Sequence, residues 1–284
     1  MKKSIAIINI LCILALVSCA SVKTVSGNAI IETRTFNLKD FDSITFNLPP
    51  SEAEIIQGDE YKVELSLDSN LFKFIDVSVQ KHKKELTLKQ IPDTNIEPTF
   101  FKISVTAPAL KSLSISGITK TAVSGFHNKS LPLSLHVGGI SSVTADVSAS
   151  SIEADISGIG NMNLKAEAEK CSFTISGSGD MTADIHSGSI DTGIAGMGTI
   201  HLMGKTEKCS LTVSGSGKIK AFDLETEEAV CTISGLGTVE IYAKRKLEAD
   251  VSGSGSIRYA GDPQHLNLHS SGLGSIQKLN KGNL

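Results

Sequence analysis

The sequence predicts an all-β protein: a right-handed parallel β-helix, or β-solenoid, of roughly 19 residues per coil behind an irregular β cap. Three observations carry this. A Ser-Gly-x-Gly element recurs with its first residue at Ser116, Gly138, Ser157, Ser176, Ala195, Ser214, Ser234, Ser252 and Ser271, spaced 22, 19, 19, 19, 19, 20, 18 and 19 residues apart. A fixed period of this size marks coils that bury their apolar side only by stacking on neighbours. Both flanks of the element alternate with period two, as strands with one inward face do. Ile152/Ala154/Ile156 and Cys171/Phe173/Ile175 precede it, and Met162/Leu164 and Ile200/Leu202 follow it. Finally, two glycines per element fall on the inward parity, where a Cβ would clash with the core or forbid a positive φ at the corner.

At the N-terminus, Lys2 and Lys3 precede an apolar run from Ile5 to Val17, broken only by Asn9. It is too short for a bilayer-spanning helix of roughly 20 residues and has the length of a signal-peptide core. The run ends in Leu16, Val17, Ser18 and Cys19. This resembles the bacterial lipobox, in which a small residue before cysteine lets signal peptidase II cut once the thiol carries lipid. The alternative is a buried cysteine in an ordinary signal peptide. The position directly behind a basic and then an apolar stretch favours the lipobox. Residues 1–18 are thus expected to be a signal peptide, Cys19 to carry palmitate and its companion acyl chains, and 19–29 to be a linker. Each buried CH₂ adds about 0.8 kcal/mol of membrane affinity. Ala20, where aspartate would resemble an inner-membrane retention signal, points to the outer membrane; the periplasmic or surface face stays open.

Residues 30–110 carry strand-like runs at Ser43–Leu48, Tyr61–Leu67, Glu85–Lys89 and Phe101–Ala107, broken by Pro-Pro, Gly-Asp and Ala-Pro. They show no period and are expected to cap the open end of the solenoid, because an uncapped coil exposes unpaired backbone groups. The solenoid itself is assigned to 111–284. Phe41-Asp42-Ser43-Ile44, Gln57-Gly58-Asp59, Leu86-Thr87-Leu88 and Val105 through Leu113, in this order and followed by the repeats, resemble the auto-transporter adhesin head GIN domain family over roughly residues 35–270. The resemblance implies a β-helical envelope domain and supplies no catalytic residues.

Within the repeats a longer beat, of two units, also shows, in Glu169-Lys170-Cys171-Ser172 against Glu207-Lys208-Cys209-Ser210. One coil per single unit is favoured, because large and small inward residues then compensate (Ala154 with Leu164, Phe173 with Ala183). It also sets Cys171 and Cys209 two rungs apart, roughly 9–10 Å at ~4.8 Å per rung, too far for a disulfide. Cys171, Cys209 and Cys231 read as small buried core residues, and Glu167–Lys170 and Glu225–Glu228 as charged second turns. The x position runs Ile159, Ser178, Met197, Ser216, Leu236, Ser254, Leu273. Its apolar half, Ile159, Met197, Leu236 and Leu273, either folds back over the neighbouring coil or forms an exposed contact ridge.

The chemistry classes narrow quickly. With 27 Lys+Arg against 30 Asp+Glu, 5% aromatics and no Trp, the chain lacks the clustered cations and stacking rings that nucleic acid needs. No CxxC or paired histidine marks a metal site, and no cofactor is implied. Asp155 and Asp250 share a column five units apart, and Asp146 and Asp184 another two apart, so no compact carboxylate pair for polysaccharide hydrolysis is expected. The position of Asp180 is not kept acidic in other units, so a calcium ladder fails. The histidines, His136, His186, His201, His265 and His269, read as solvated, and no repeat serine is expected to have His and Asp in register. The resulting expectation is a non-catalytic, lipid-anchored binding or adhesin-like module for a protein or glycan. The alternatives are a polysaccharide-acting β-helix enzyme and an envelope-stress or assembly scaffold.

Overall fold

The structure, a computed structural model, describes residues 23–279. Each repeat forms one coil. Strand Asn161–Ile175 pairs in parallel with Asp180–Ile194, and that strand with Thr199–Val213. Met162 therefore stacks beside Met181 and Ile200, and Leu164 beside Ala183 and Leu202. Neighbours in a column are one repeat unit apart and not two, which excludes the longer coil. Columns alternate in size along the axis: Leu164, Ala183, Leu202 on one flank and Ala154, Phe173, Thr192, Leu211, Cys231 on the other. This interdigitation fills the interior to the density a protein core requires. One apolar core runs from Phe41 to Tyr259.

The Ser-Gly-x-Gly corner is a backbone stack. A Cβ on Gly177 would stand 2.2 Å from the Gly158 carbonyl oxygen, and one on Gly179 would stand 2.4 Å from the Gly160 oxygen and 2.6 Å from Ile156 Cγ2. The first glycine is thus demanded by the coil beneath rather than by the core. The expected positive φ holds at Gly139 and Gly272, whereas Gly177 and Gly179 are not in that region. The second turn differs from expectation. Glu167 to Lys170 stays extended within Asn161–Ile175, and inward parity slips by one residue between buried Ala168 and buried Cys171. At the same corner Ser187, Thr206 and Thr226 stack on Ala168. Thr206 and Thr226 are buried there and give their hydroxyls to the carbonyls of Lys208 (3.0 Å) and Leu224 (3.4 Å). The charged residues around this column hide that polar ladder in the sequence.

Uneven spacings become bulges. The long unit that ends at Ser234 shifts the register between His201 and Gly204, and the short unit that follows shifts it again beyond Ala221. The first unit, the longest of all, shifts it between Ser124 and His127.

At the N-terminal end, Ser43–Asn47 and Ser51–Gln57 lie parallel to Ser112–Ile115 and Thr119–Asn128, so they continue the coils. Glu85–Gln90 and Phe101–Ala107 form the next rung outward. Ile75–Gln80, Lys62–Asp68 and Ile31–Phe36 then close this end in antiparallel pairing, which stops the parallel stack. The last rung at the other end is His265–Ser270, laid on the second half of Thr238–Val251, and Ser275–Lys278, laid on Ser256–Ala260.

Candidate functional site

The x residue of each corner keeps its backbone in the ladder. The amide of Ile140 donates to Gly117 (3.1 Å), that of Ile159 to Gly139 (2.9 Å), that of Met197 to Gly177 (3.1 Å) and that of Leu236 to Gly215 (3.0 Å). With the backbone fixed, the side chains project outward. Ile159 is 65% exposed, Met197 72%, Leu236 68% and Leu273 89%. They do not fold back over the next coil, whose corner glycines are already in contact with backbone. Ser178, Ser216 and Ser254 interrupt this column. Towards the cap it becomes continuous, because Ile118 and Ile140 occupy the same position in the two preceding units and are exposed as well. Sequence reasoning began the x series at Ile159 and missed both, although the same spacing places them.

The cap supplies an end wall to this corner, two rungs beyond Ile118 by register. Exposed Phe100, with Pro50 and Pro98, lines a cleft of about 730 Å³ together with Ile118, Ile140 and Ile159. Its floor is polar but self-satisfied. The Ser141 hydroxyl donates to the Gly117 carbonyl (2.8 Å) and accepts from the Thr119 amide (3.2 Å), while Ser51 and Thr119 hydroxyls meet at 3.2 Å. Glu52 and Lys120 stand at the rim. Ser142 and Asn161 line it too, so the cleft offers a ligand apolar surface bordered by polar side chains.

Asp68 holds the wall in place. It is fully buried. Its Oδ1 accepts from the Ala29 amide (2.7 Å) and the Thr99 hydroxyl (2.7 Å), and its Oδ2 from the amides of Thr99 (2.8 Å) and Phe100 (3.5 Å). Burial alone would raise its pKa. The Thr99, Ala29 and Phe100 donors outweigh burial and hold the carboxyl below its ordinary value.

A second concavity of about 650 Å³ is lined by His127, Lys129, Asp146, Lys165, Glu167, Asp184 and His186 among others. Lys165 stands between Asp146 and Asp184 in register, 3.6 Å from Asp146, and Lys129 lies 2.5 Å from Glu167. The Lys129 ammonium lowers the Glu167 pKa. Neighbouring charges thus satisfy one another. Among the described residues no group of three His, Cys, Asp or Glu is placed to hold a metal ion.

The histidines need correction. His136 Nδ1 is hydrogen-bonded to Asp155, its register partner one coil on, and its Nε2 lies 3.5 Å from Ser157 Oγ. A serine, a histidine and an aspartate are thus in line, contrary to the expectation from sequence, although one repeat length separates His136 from Asp155 and that spacing already places the two in one column. The geometry stops short of a nucleophilic centre. The serine contact is at the limit of a hydrogen bond, the imidazole is 42% exposed, and neither cleft includes Ser157. His201 is likewise paired, at 3.1 Å from Asp223, and His127 lies 3.2 Å from Ser148.

Cys171, Cys209 and Cys231 are buried free thiols. Burial pushes Cys171 up to about 11, Cys231 up to about 12, and Cys209 well above the ordinary thiol value, so none is a thiolate at neutral pH. Leu16, Val17, Ser18 and Cys19 lie outside the described residues. Among the described residues no helix is long and apolar enough to cross a membrane.

Fold and site together define a β-solenoid that presents an apolar corner instead of an enclosed reaction centre. The chain belongs to the family described as "putative auto-transporter adhesin, head GIN domain", whose model matches residues 40–185 and 165–263. This places it among adhesin-like proteins of the cell envelope. A crystal structure from Parabacteroides distasonis ATCC 8503, described as a "putative lipid binding protein", is 28% identical with a TM-score of 0.68, covering 90% of this chain and 100% of that one. A "putative adhesin" from Parabacteroides merdae ATCC 43184 shares the fold, with 22% identity, a TM-score of 0.73, and coverage of 90% and 99%. No curated protein sequence matches the chain.

Proposed function

We propose that the chain is a lipid-anchored, non-catalytic binding module of the outer membrane, held through Cys19, whose ligand-contacting surface is the apolar corner cleft of Phe100, Ile118, Ile140 and Ile159. The observation that carries this is the run of three adjacent exposed isoleucines that share one cleft with an exposed phenylalanine. A contiguous exposed apolar patch on a folded domain is a contact surface by default. A floor whose polar groups are already paired favours an acyl chain over a glycan, because sugar hydroxyls need free partners. The 28%-identical relative described as lipid binding supports the same ligand class.

The test is photocrosslinking. Membranes bearing the full chain are incubated with a diazirine fatty acid and irradiated. Labelled peptides should map to residues 98–101, 118–120, 140–142 and 159–161. The double variant Ile140→Ser/Ile159→Ser should lose most of the label while melting as the parent does. Labelling spread evenly over the surface, or unchanged in the variant, would reject the cleft.

A further inference from the structure

The two ends of the solenoid are finished differently. At the cap, the outermost strand Ile31–Phe36 pairs only with Lys62–Asp68, and it carries Glu32 and Arg34 in an ion pair of 2.9 Å. Charge on an outer strand is how proteins stop edge-to-edge pairing. At the opposite end the last rung is His265–Ser270, which has no Lys, Arg, Asp or Glu, and Ser275–Lys278, whose Lys278 pairs with Asp262 at 2.6 Å; among the described residues no strand lies beyond His265–Ser270. In register it continues the inner columns: Leu266 stacks on Leu247 and Leu268 on Ala249. Both leucines are nevertheless exposed, 48% and 40%. Among the described residues no further coil covers these inward side chains, which leaves this face of the core open.

The strand is also a palindrome, His265-Leu266-Asn267-Leu268-His269. An isologous twofold contact sets each residue i against j and j against i, so the surface must be complementary to itself. Antiparallel pairing of this edge with its own copy, centred on Asn267, sets Leu266 against Leu268 of the partner and Asn267 against its counterpart. His265 then faces His269 of the partner. The leucines stay on the core side and the polar residues on the outer side, so the period of two is kept across the axis. No Lys, Arg, Asp or Glu side chain of this strand faces its own kind.

We infer that His265–Ser270 is a self-pairing edge, through which two copies of this chain join tail to tail into one continuous solenoid. The contact is small. A coil end of one six-residue strand, His265–Ser270, and one four-residue strand, Ser275–Lys278, is at most roughly 20 Å by 10 Å at ~3.3 Å per residue and ~10 Å between sheets. That is below the area of a stable standard interface. The pair should therefore be reversible, and favoured where anchoring to one membrane concentrates the copies.

The experiment uses the full chain expressed in membranes, with Asn267→Cys. Opposed antiparallel residues have Cα atoms about 4.5–5.5 Å apart, within disulfide range. Mild oxidation should give a disulfide dimer of twice the chain mass for most of the protein. Glu248→Cys, one strand further in and roughly 14 Å from its counterpart at ~4.8 Å per rung, should give none. Adding Leu266→Glu and Leu268→Glu should reduce the Asn267→Cys dimer at least tenfold. Co-expression with a copy carrying Leu266→Lys, Leu268→Lys and Asn267→Cys should restore it as a heterodimer. Asn267→Cys forming dimer no faster than Glu248→Cys, or linking instead to a protein of another mass, would overturn the inference.

Discussion

Asp68 ties the cap to the candidate cleft, so a conservative change there should open one without unravelling the other. Asp68→Asn keeps the shape but replaces one carboxylate oxygen by an NH₂. Whichever way the amide turns, two donors that now meet an acceptor meet another donor. If the NH₂ replaces Oδ2, these are the Thr99 and Phe100 amides, at 2.8 and 3.5 Å. Hydrogen bonds to a charged group contribute about 1.5–3 kcal/mol each, and the second contact is long, so the loss should be roughly 2–4 kcal/mol. As local opening, this speeds hydrogen exchange of the Thr99 and Phe100 amides by roughly 30- to 1,000-fold. Amides in Asp180–Ile194, far along the solenoid, should not change. Acid should mimic the substitution. Because the folded pKa is depressed, the carboxylate's contribution is complete above about pH 4, the ordinary value, and is lost as pH falls through the folded one. Exchange at Thr99 and Phe100 within threefold of the parent in Asp68→Asn would refute this account of the wall.

Thr192 is buried between Phe173 and Leu211, and its hydroxyl has no hydrogen-bond partner. Thr192→Val removes the unpaired group at constant shape and should raise Tm by about 2–4 °C, for roughly 1 kcal/mol, measured by calorimetry. Changing Ile159, Met197, Leu236 and Leu273 together to Ser removes only exposed surface, so thermal melting should stay within about 1 °C; a fall of several degrees would mean that the ridge is packed. Alkylation of Cys209 and Cys231 should require unfolding and stay slow as pH rises from 7 to 9, since both thiols lie well above the ordinary value. Non-reducing peptide mapping should find no bridge between Cys171 and Cys209.

The coil was legible in the sequence because a solenoid writes the same constraint into every unit. Each glycine pair and each inward column is repeated until chance is excluded, and the period alone places Met162 beside Met181. The cap was legible as strands and not as topology. Ser43–Asn47 and Glu85–Gln90 lie in adjacent rungs with no repeat to announce it, because their register is set by antiparallel strands inserted between them in sequence. In the His136, Asp155 and Ser157 line the period does set His136 in the column of Asp155, and only the Ser157 contact, which is off register, is not written in the repeat.

The same logic explains where function lies on such a scaffold. A repeat that satisfies its own backbone and core at every rung leaves little that is specific to one rung, so specificity must come from departures from the pattern. The corner column illustrates this. Serine at Ser178, Ser216 and Ser254 breaks the apolar series, yet in the three units beside the cap the series is unbroken, and only there does an end wall from the cap, Phe100, line the same cleft. That wall belongs to the non-repeating part of the chain and is held by a buried carboxylate rather than by stacking. The ligand surface therefore lies where the periodic and aperiodic halves meet. Substitutions of the apolar x residues far from the cap should be neutral for ligand capture, whereas those beside it should not. Photocrosslinking of Leu236→Ser beside Ile140→Ser compares the two directly, and equal loss of label in both would place the contact along the whole ridge instead of at its junction with the cap.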